Sequence, residues 1–205
     1  MNRSQFTTLT SEECNKLLDQ LLAERNPGDA PRVRHRNYTM ALLMLDAGCR
    51  VGELVQLRQD QLWFARCAVG ALTIEKDQAK NKRERTIPIT SRLSDAIKKM
   101  HDWWWNDNHD HGTRFAFYAT WCLRPLTVRQ IQRIITSAGK LSIGRDIHPH
   151  LLRHTFGTRL MNKTSMRTVQ ELLGHKRISS TQIYTHPSGE DKRKAIDSMD
   201  KTDQD

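Results

Sequence analysis

The sequence predicts an α+β domain that is mainly α with a small antiparallel β-sheet. Apolar residues recur at helical spacing in most segments, whereas two neighbouring segments alternate in the manner of half-buried strands. The 205 residues are enough to bury a substantial core. No apolar run reaches the roughly 18 residues that a membrane span requires, so the prediction is a globular domain without a membrane partner.

The N-terminal part is predicted to form three helices. Ser11 opens a stretch in which leucines recur at helical spacing as far as Leu22, and "NPGDAP" then breaks the pattern. A second helix is predicted over 35–47, ending at Gly48. The sequence "RVGELVQLR" is expected to begin a third helix.

A β-hairpin is predicted in the middle of the chain. The segments "ALTIEK" (71–76) and "RERTIPIT" (83–90) both carry β-branched residues in alternation. The polar "DQAKNK" between them suits a connecting turn. The segment "RFAFYA" (114–119) is expected to add a short third strand.

The remaining segments return to helical spacing. Helices are predicted over 91–105, 126–138, 150–161 and 165–173, with a short one in "ISSTQIYTH" (178–186). Trp103 or Trp104 is expected in the core.

The segment "HPHLLRHTFGTRL" (148–160) combines histidine and arginine with a buried stripe. Pro149 suits the first turn of a helix, and Leu152, Phe156 and Leu160 then share one face. His150 and Arg153, spaced i and i+3, lie on one side of that helix and can point at one anionic ligand. The alternative is ordinary basic decoration of a solvent-facing surface.

Composition narrows the class of partner. The net charge is +10, which favours a polyanionic partner, most simply nucleic acid. The four cysteines are scattered and form no CxxC pair, so we expect free thiols. There is no carboxylate cluster for a metal, and we expect neither metal nor cofactor. The N-terminus lacks the apolar region of a secretory signal, which predicts a cytoplasmic, nucleoid-associated protein.

Further candidate functional residues are spread along the chain. Arg50 precedes Glu53 by three residues, Lys80 lies in the hairpin turn, and His175 follows a glycine, with Tyr184 nine residues later. Each has a structural alternative. Arg50 and Glu53 would form a surface ion pair, and Lys80 would be solvated. His175 would belong to a helix C-cap, and Tyr184 would lie in the core.

Taken together, these residues closely resemble the tyrosine recombinases, also called phage integrases. That family's motif is an arginine, a hairpin lysine, His-x-x-Arg, a histidine or tryptophan, and a tyrosine, in that order. The segments that carry the resemblance are "AGCRVGEL", "KNKRERTIPI", "HPHLLRHTFGT" and "LLGHKRISSTQIYTH". The resemblance covers roughly residues 8 to 190.

The resemblance implies a site-specific recombinase that transfers a DNA phosphodiester to a tyrosine. It implies these catalytic residues: Arg50, Lys80, His150, Arg153, His175 and Tyr184. Tyr184 would be the nucleophile, leaving a 3′-phosphotyrosine and a free 5′-hydroxyl. Glu53 would hold Arg50 in place, and His154 would support the site by packing or hydrogen bonding.

The individual roles follow from the same resemblance. The two arginines would stabilise charge on the phosphate, His150 would accept the tyrosine proton, and His175 would donate a hydrogen bond to a phosphate oxygen. Lys80 on the hairpin would protonate the leaving oxygen, with Lys82 or Arg83 as alternatives.

The expected partner is double-stranded DNA with specific inverted-repeat sites. On DNA the protein is expected to form a homo-oligomer, a tetramer, with accessory DNA-bending proteins possible, and to be monomeric or weakly associated when free. Integration, excision and inversion of DNA all remain open. Alternatives are a strand-relaxing enzyme like type IB topoisomerases, a DNA-binding module without activity and a small-molecule phosphatase.

The domain prediction is one catalytic domain over 1–187, similar to the short recombinases that invert fimbrial promoters, without an N-terminal DNA-binding domain. A catalytic fragment of a longer protein is the alternative. Residues 188–205 are expected to form a C-terminal segment with a polar tail. Its helix would dock on a neighbouring subunit, or else cover the domain's own core.

Overall fold

The computed structural model describes residues 8–24, 30–105, 113–119 and 122–175. The helices in these ranges are α1 (Ser11–Leu22), α2 (Pro31–Asp46), α3 (Val51–Leu54), α4 (Ser91–Met100), α5 (Val128–Ile143), α6 (Pro149–Met161) and α7 (Met166–Leu173). The strands are β1 (Trp63–Phe64), β2 (Cys67–Ala68), β3 (Ala71–Ile74) and β4 (Arg85–Pro88). The prediction of a mainly helical domain with a small antiparallel sheet is confirmed.

Helix α2 lies at the centre of the domain. Its residues from Met40 to Leu45 are almost completely buried around the whole helix, as expected for a helix that is surrounded by others. Helices α1, α4 and α6 pack directly against it. The helix begins at Pro31, four residues before the predicted start, because proline at the first helical position loses no hydrogen bond.

The predicted hairpin is confirmed, with shorter strands. Strands β3 and β4 pair antiparallel, with Ala71 opposite Pro88 and Ile74 opposite Arg85. Leu72, Ile74 and Ile87 face the core. This pairing holds the polar turn that carries Lys80 beside the start of α3.

The third predicted helix is confirmed where it begins, and α3 is short, ending after one turn at Leu54. The backbone beyond it bonds across the chain: the Ala116 N–H donates to the Leu57 carbonyl at 2.8 Å, and the Gln59 N–H to the Arg114 carbonyl at 2.9 Å. These long-range bonds replace the bonds that a longer helix would have made.

The predicted third strand in 114–119 is wrong. Phe115 and Tyr118 make isolated bridges, to Arg58 and Pro125 respectively, without extending the β3–β4 sheet. A separate ribbon, β1 with β2, forms where none was predicted. Its turn residues Ala65 and Arg66 both have positive φ, a geometry that glycine or asparagine usually signals.

Helices α5, α6 and α7 agree with the predictions over 126–138, 150–161 and 165–173 except at the ends. Helix α5 runs on to Ile143, where Gly144 caps it in the left-handed conformation. After α4 the chain forms a π-helical turn, in which Trp104 is buried while Trp103 is exposed. Across the described ranges, no helix combines the length and apolar character needed to cross a membrane.

Candidate active site

A cleft of about 430 Å³ opens where α3, the β3–β4 turn and α6 meet. It brings together four predicted site residues from three segments of the chain: Arg50, Lys80, His150 and Arg153. Glu53 and Gln78 also line it. Three of these side chains are basic, Glu53 is acidic and His150 adds an imidazole, so the net charge of the lining is positive. The cleft is therefore suited to an anion.

Arg50 lies immediately before α3 and is held there by Glu53, as predicted. The Arg50 N–H donates to Glu53 Oε2 at 2.7 Å, and Arg50 Nη1 donates to Glu53 Oε1 at 2.9 Å. Glu53 is only 1% exposed. Burial acts to raise the pKa of Glu53, but hydrogen bonding and charge from Arg85 outweigh it and hold that pKa below its ordinary value.

Arg153 is buried, which rules out the interpretation of this arginine as surface decoration. Its Nη1 donates to the carbonyl of Gly48 and its Nη2 donates to the carbonyl of Leu173 at 2.5 Å. The guanidinium therefore ties α6 to the turn before Arg50 and to the end of α7. Charge-assisted bonds of this kind are strong and fix its orientation.

Gly48 makes this arrangement possible. Its φ is +60°, and a Cβ there would lie 2.4 Å from Cδ1 of Phe156 on α6. Any other residue would clash with that ring and strain the backbone. The close approach of the two segments places the Gly48 carbonyl against Arg153.

The hairpin turn is anchored on both sides of Lys80. Before it, Gln78 is buried and its Nε2 donates to the Gln56 carbonyl at 2.9 Å. After it, Asn81 Nδ2 donates to the Gly174 carbonyl at 3.2 Å. Lys80 itself is exposed at the cleft, so its amine reaches the cleft from an anchored backbone.

The site histidines are held neutral. Partial burial, followed by the charges of Arg153, Arg50 and Lys80, lowers the pKa of His150. Burial and then the arginines lower the pKa of His175 to about 4. His154 is buried in α6, and its pKa is lowered by burial and by His150. A neutral imidazole has one nitrogen that can accept a proton and one that donates a hydrogen bond.

Cys49 also lies in the wall of the cleft. Burial raises the pKa of its thiol to about 12, with Glu53 adding to the effect. The thiol therefore stays protonated and does not offer a nucleophile.

Arg85 is the main residue of the site that sequence reasoning missed. Its Nη1 and Nη2 donate to the two oxygens of Glu53 at 2.9 and 2.6 Å, and its side chain is 4% exposed. The alternation of β4 contains a signal for it, since Arg85 shares a face with buried Ile87. An arginine on a buried face requires a partner of opposite charge.

Tyr184, the predicted nucleophile, lies outside the described residues, as do the short helix predicted over 178–186 and the C-terminal segment 188–205. The structure thus brings together Arg50, Lys80, His150 and Arg153, with His175 near the arginines. Lys82 and Arg83 are exposed in the same turn as Lys80.

The fold and the cleft together define a mainly helical domain with a cluster of guanidinium and imidazole groups suited to an anion. The sequence identifies the family. Residues 7–190 match the phage integrase family, and the chain belongs to that family, the tyrosine recombinases.

Related proteins agree with this assignment. A tyrosine recombinase from Pseudothermotoga lettingae is 34% identical over 165 residues, which cover 80% of this chain and 54% of that protein. Tyrosine recombinase XerD from Lacticaseibacillus casei is 33% identical, over 84% of this chain and 57% of that protein. The chain spans about half the length of the curated relatives it matches.

Solved structures share the fold. The crystal structure of XerA recombinase superposes with a TM-score of 0.72 at 23% identity, covering 94% of this chain and 65% of that one. The Tn1549 transposon integrase, solved with transposon right end DNA, gives 0.70 at 21% identity, covering 94% and 66%. The predicted recombinase catalytic-domain fold is confirmed.

Proposed function

We propose that this chain is the catalytic domain of a site-specific DNA recombinase that cuts and rejoins strands through a 3′-phosphotyrosine. The observation that carries the proposal is that Arg50, Lys80, His150 and Arg153 line one cleft. The relatives named as recombinases, and the neighbour solved with DNA, support DNA as the substrate.

The two arginines stabilise the phosphate as the nucleophile arrives. Negative charge then builds up on the non-bridging oxygens, and guanidinium groups keep their charge at any physiological pH. Glu53 and the backbone carbonyls hold both groups before the substrate binds. Preorganised donors of this type each contribute about 3 kcal/mol to the transition state.

Two proton transfers complete the cleavage step. Tyr184 attacks phosphorus and gives its proton to neutral His150, while the bond to the 5′-oxygen breaks and Lys80 protonates that oxygen. A positioned acid or base contributes roughly 10²–10⁴-fold. His175, also neutral, donates a hydrogen bond to a phosphate oxygen.

Rejoining reverses these steps with a different strand. The 5′-hydroxyl of a partner strand gives its proton to Lys80 as it attacks the phosphotyrosine, and the tyrosine leaves with the proton that His150 received. The number of phosphoester bonds is unchanged, so no nucleotide cofactor is required.

The proposal also includes paired inverted-repeat sites in the DNA, a DNA-bound tetramer, accessory DNA-bending proteins and a cytoplasmic location. Integration, excision and inversion are equally compatible with it.

Tyr184→Phe tests the proposal. The phenylalanine has no hydroxyl to attack phosphorus, so the variant should bind DNA but form no covalent adduct. Incubation with a nicked suicide substrate followed by a denaturing gel measures the adduct. A covalent band from the variant contradicts the assignment. Relaxation of supercoils by the unaltered protein without any recombinant product favours a topoisomerase.

A further inference from the structure

The carboxylate of Glu53 is shared between two arginines on different elements. Each oxygen accepts two hydrogen bonds: Oε1 from Arg50 Nη1 and Arg85 Nη1, both at 2.9 Å, and Oε2 from the Arg50 N–H at 2.7 Å and Arg85 Nη2 at 2.6 Å. Arg85 makes both guanidinium bonds of a two-bonded pair, whereas the guanidinium of Arg50 makes one. The stronger ion pair is therefore with Arg85.

This division matters for the charge in the cleft. A buried carboxylate 2.9 Å from Arg50 would cancel much of that arginine's charge, because electrostatic interactions are strong away from water. Pairing with Arg85 neutralises Glu53. The three groups together keep one positive charge, and Arg50 is the arginine of the three that lines the cleft, alongside Glu53.

Arg85 also lies where three parts of the site meet. It begins β4, five residues after Lys80, and bonds to α3 through Glu53. Its Cδ is 3.0 Å from where a Cβ on Gly174 would lie, directly before His175. Its Nε is buried without a hydrogen-bond partner among the described residues, which indicates that Arg85 is held by the pair with Glu53 and by packing.

We propose that Arg85 is a positioning residue that holds and neutralises Glu53. The positive charge of Arg50 is then not cancelled by Glu53, and Arg50 keeps its orientation toward the anion in the cleft. The inference rests on the proposed function in taking that anion to be the scissile phosphate. Arg85 itself lies behind Glu53 and acts through it.

Arg85→Met, Arg85→Lys and the double variant Glu53→Gln with Arg85→Met, each in the full chain, test this role. Sulfate is the probe, because it stays a dianion between about pH 5 and pH 8 and needs no DNA chemistry. Its dissociation constant is measured by calorimetry. Single-turnover DNA cleavage is measured alongside.

In Arg85→Met, Glu53 is left with Arg50 as its main partner. Its negative charge should then cancel most of the positive charge of Arg50. Sulfate binding near pH 8 should weaken by about tenfold, the equivalent of one charge-assisted hydrogen bond. The double variant should restore binding, since glutamine carries no charge to cancel that of Arg50. Arg85→Lys keeps the charge with fewer bonds and should lose less.

The pH dependence separates this role from simple support of the fold. The charged groups that face Glu53 are Arg50, Arg85 and, from α6, Arg153, with the Cys49 thiol nearby. Without Arg85, burial should raise the pKa of Glu53 above its ordinary value. Below that pKa the carboxyl group is neutral and no longer cancels the charge of Arg50, so Arg50 again attracts the anion. The ratio of variant to unaltered dissociation constants should therefore fall toward one as the pH is lowered.

Arg92→Met is the matched control, because Arg92 makes a two-bonded pair with buried Asp46 but does not line the cleft. It should lower the melting temperature without changing sulfate affinity.

Two results overturn the proposal. One is a ratio of dissociation constants for Arg85→Met within about twofold of one near pH 8. The other is a loss of sulfate affinity that is constant with pH and is not relieved by Glu53→Gln. If Arg85→Met shows no cooperative melting, Arg85→Lys and the double variant decide it by the same comparison. Absence of DNA cleavage by the unaltered protein would count against the proposed function alone, because the sulfate result stands without it.

Discussion

The imidazoles of His150 and His175 lie among guanidinium groups. Protonating them there costs free energy, because the new positive charge is close to those of the arginines. For both, burial is the largest cause of the lowered pKa and the charges of Arg153 and Arg50 come next. Both imidazoles are therefore neutral before an anion binds, as the proposed roles of base and hydrogen-bond donor require. A bound dianion then offsets the arginine charges and should raise both pKa values.

Sulfate binding should therefore take up protons at about pH 5–6. The free protein has a His175 pKa of about 4, and the bound state has a higher one, so in this interval the complex holds more protons. Affinity for sulfate should accordingly fall as the pH rises, and proton uptake should vanish near pH 8. Calorimetry in two buffers of different ionisation heat measures the uptake.

The control for this experiment is His35→Gln. His35 also has a lowered pKa, caused by burial and by Lys99, but it packs against Trp103 and does not line the cleft. This variant should take up protons as the unaltered protein does. Uptake that is absent at about pH 5–6 in the unaltered protein would show that the histidines do not respond to the anion.

At the scale of elements, the site depends on how closely α6 approaches the turn between α2 and α3. Gly48 and Phe156 form that contact, and the carbonyl of Gly48 orients Arg153. The β3–β4 turn is fixed separately, through Gln78 and Asn81. Arg153 and the turn that carries Lys80 are thus positioned by contacts between elements.

Gly48→Ala should destabilise the domain by two effects. The left-handed backbone costs about 1–2 kcal/mol for alanine, and the clash with the Phe156 ring adds about 1–3 kcal/mol. Gly144→Ala is the control, because Gly144 has φ +79° but open space around it, so only the first cost applies. Urea unfolding measures both variants.

A second substitution, Phe156→Leu, should recover part of the loss in Gly48→Ala by making room for the new methyl group. Equal free energies of unfolding for the two glycine variants would mean that α6 moves away from the turn at no cost.

Lys80→Ala tests the role of the anchored turn. The variant should cleave a normal DNA substrate far more slowly, yet cleave one with a 5′-bridging sulfur nearly as well as the unaltered protein, because sulfur leaves without a proton. Rates of covalent adduct formation on the two substrates measure this. Equal slowing on both excludes Lys80 as the acid, and the same selectivity in a Lys82→Ala or Arg83→Ala variant would transfer the role to that residue.

At the scale of the whole molecule, the described residues form a candidate anion site, while the proposed reaction requires paired DNA sites. The chain covers about half the length of its curated relatives, and the single-domain organisation over 1–187 stays a prediction. So does docking of residues 188–205 on a neighbouring subunit. Its basis is the narrow apolar stripe formed by Ala195, Ile196 and Met199, which is small for securing a helix to its own domain.

Deletion after Pro187 should leave binding to a single DNA site nearly intact. It should weaken assembly of the two-site complex and recombination, because the link between subunits is lost. Gel-shift titration on one-site and two-site DNA measures the difference. A truncated protein that melts well below the full chain as a free monomer, or that recombines at the full rate, contradicts the docking role.

Much of the fold and the candidate site could be predicted from local patterns along the chain. Helical spacing located the long helices, and alternation located the β3–β4 hairpin. The errors lie where distant segments meet. Helix α3 stops early because Leu57 and Gln59 bond to 114–116, and residues 116–119 are buried without extending a sheet.

The order of the six motif residues from Arg50 to Tyr184, with the segments around them, was enough to indicate the family, since residue type and spacing carry that information. The electrostatics of the cleft depended on tertiary contacts. Arg85 reaches Glu53 from 32 positions away, and the neutral state of His175 depends on burial beside arginines from three other segments. Burial and the charges of neighbours set a pKa, and both arise only when the chain has folded.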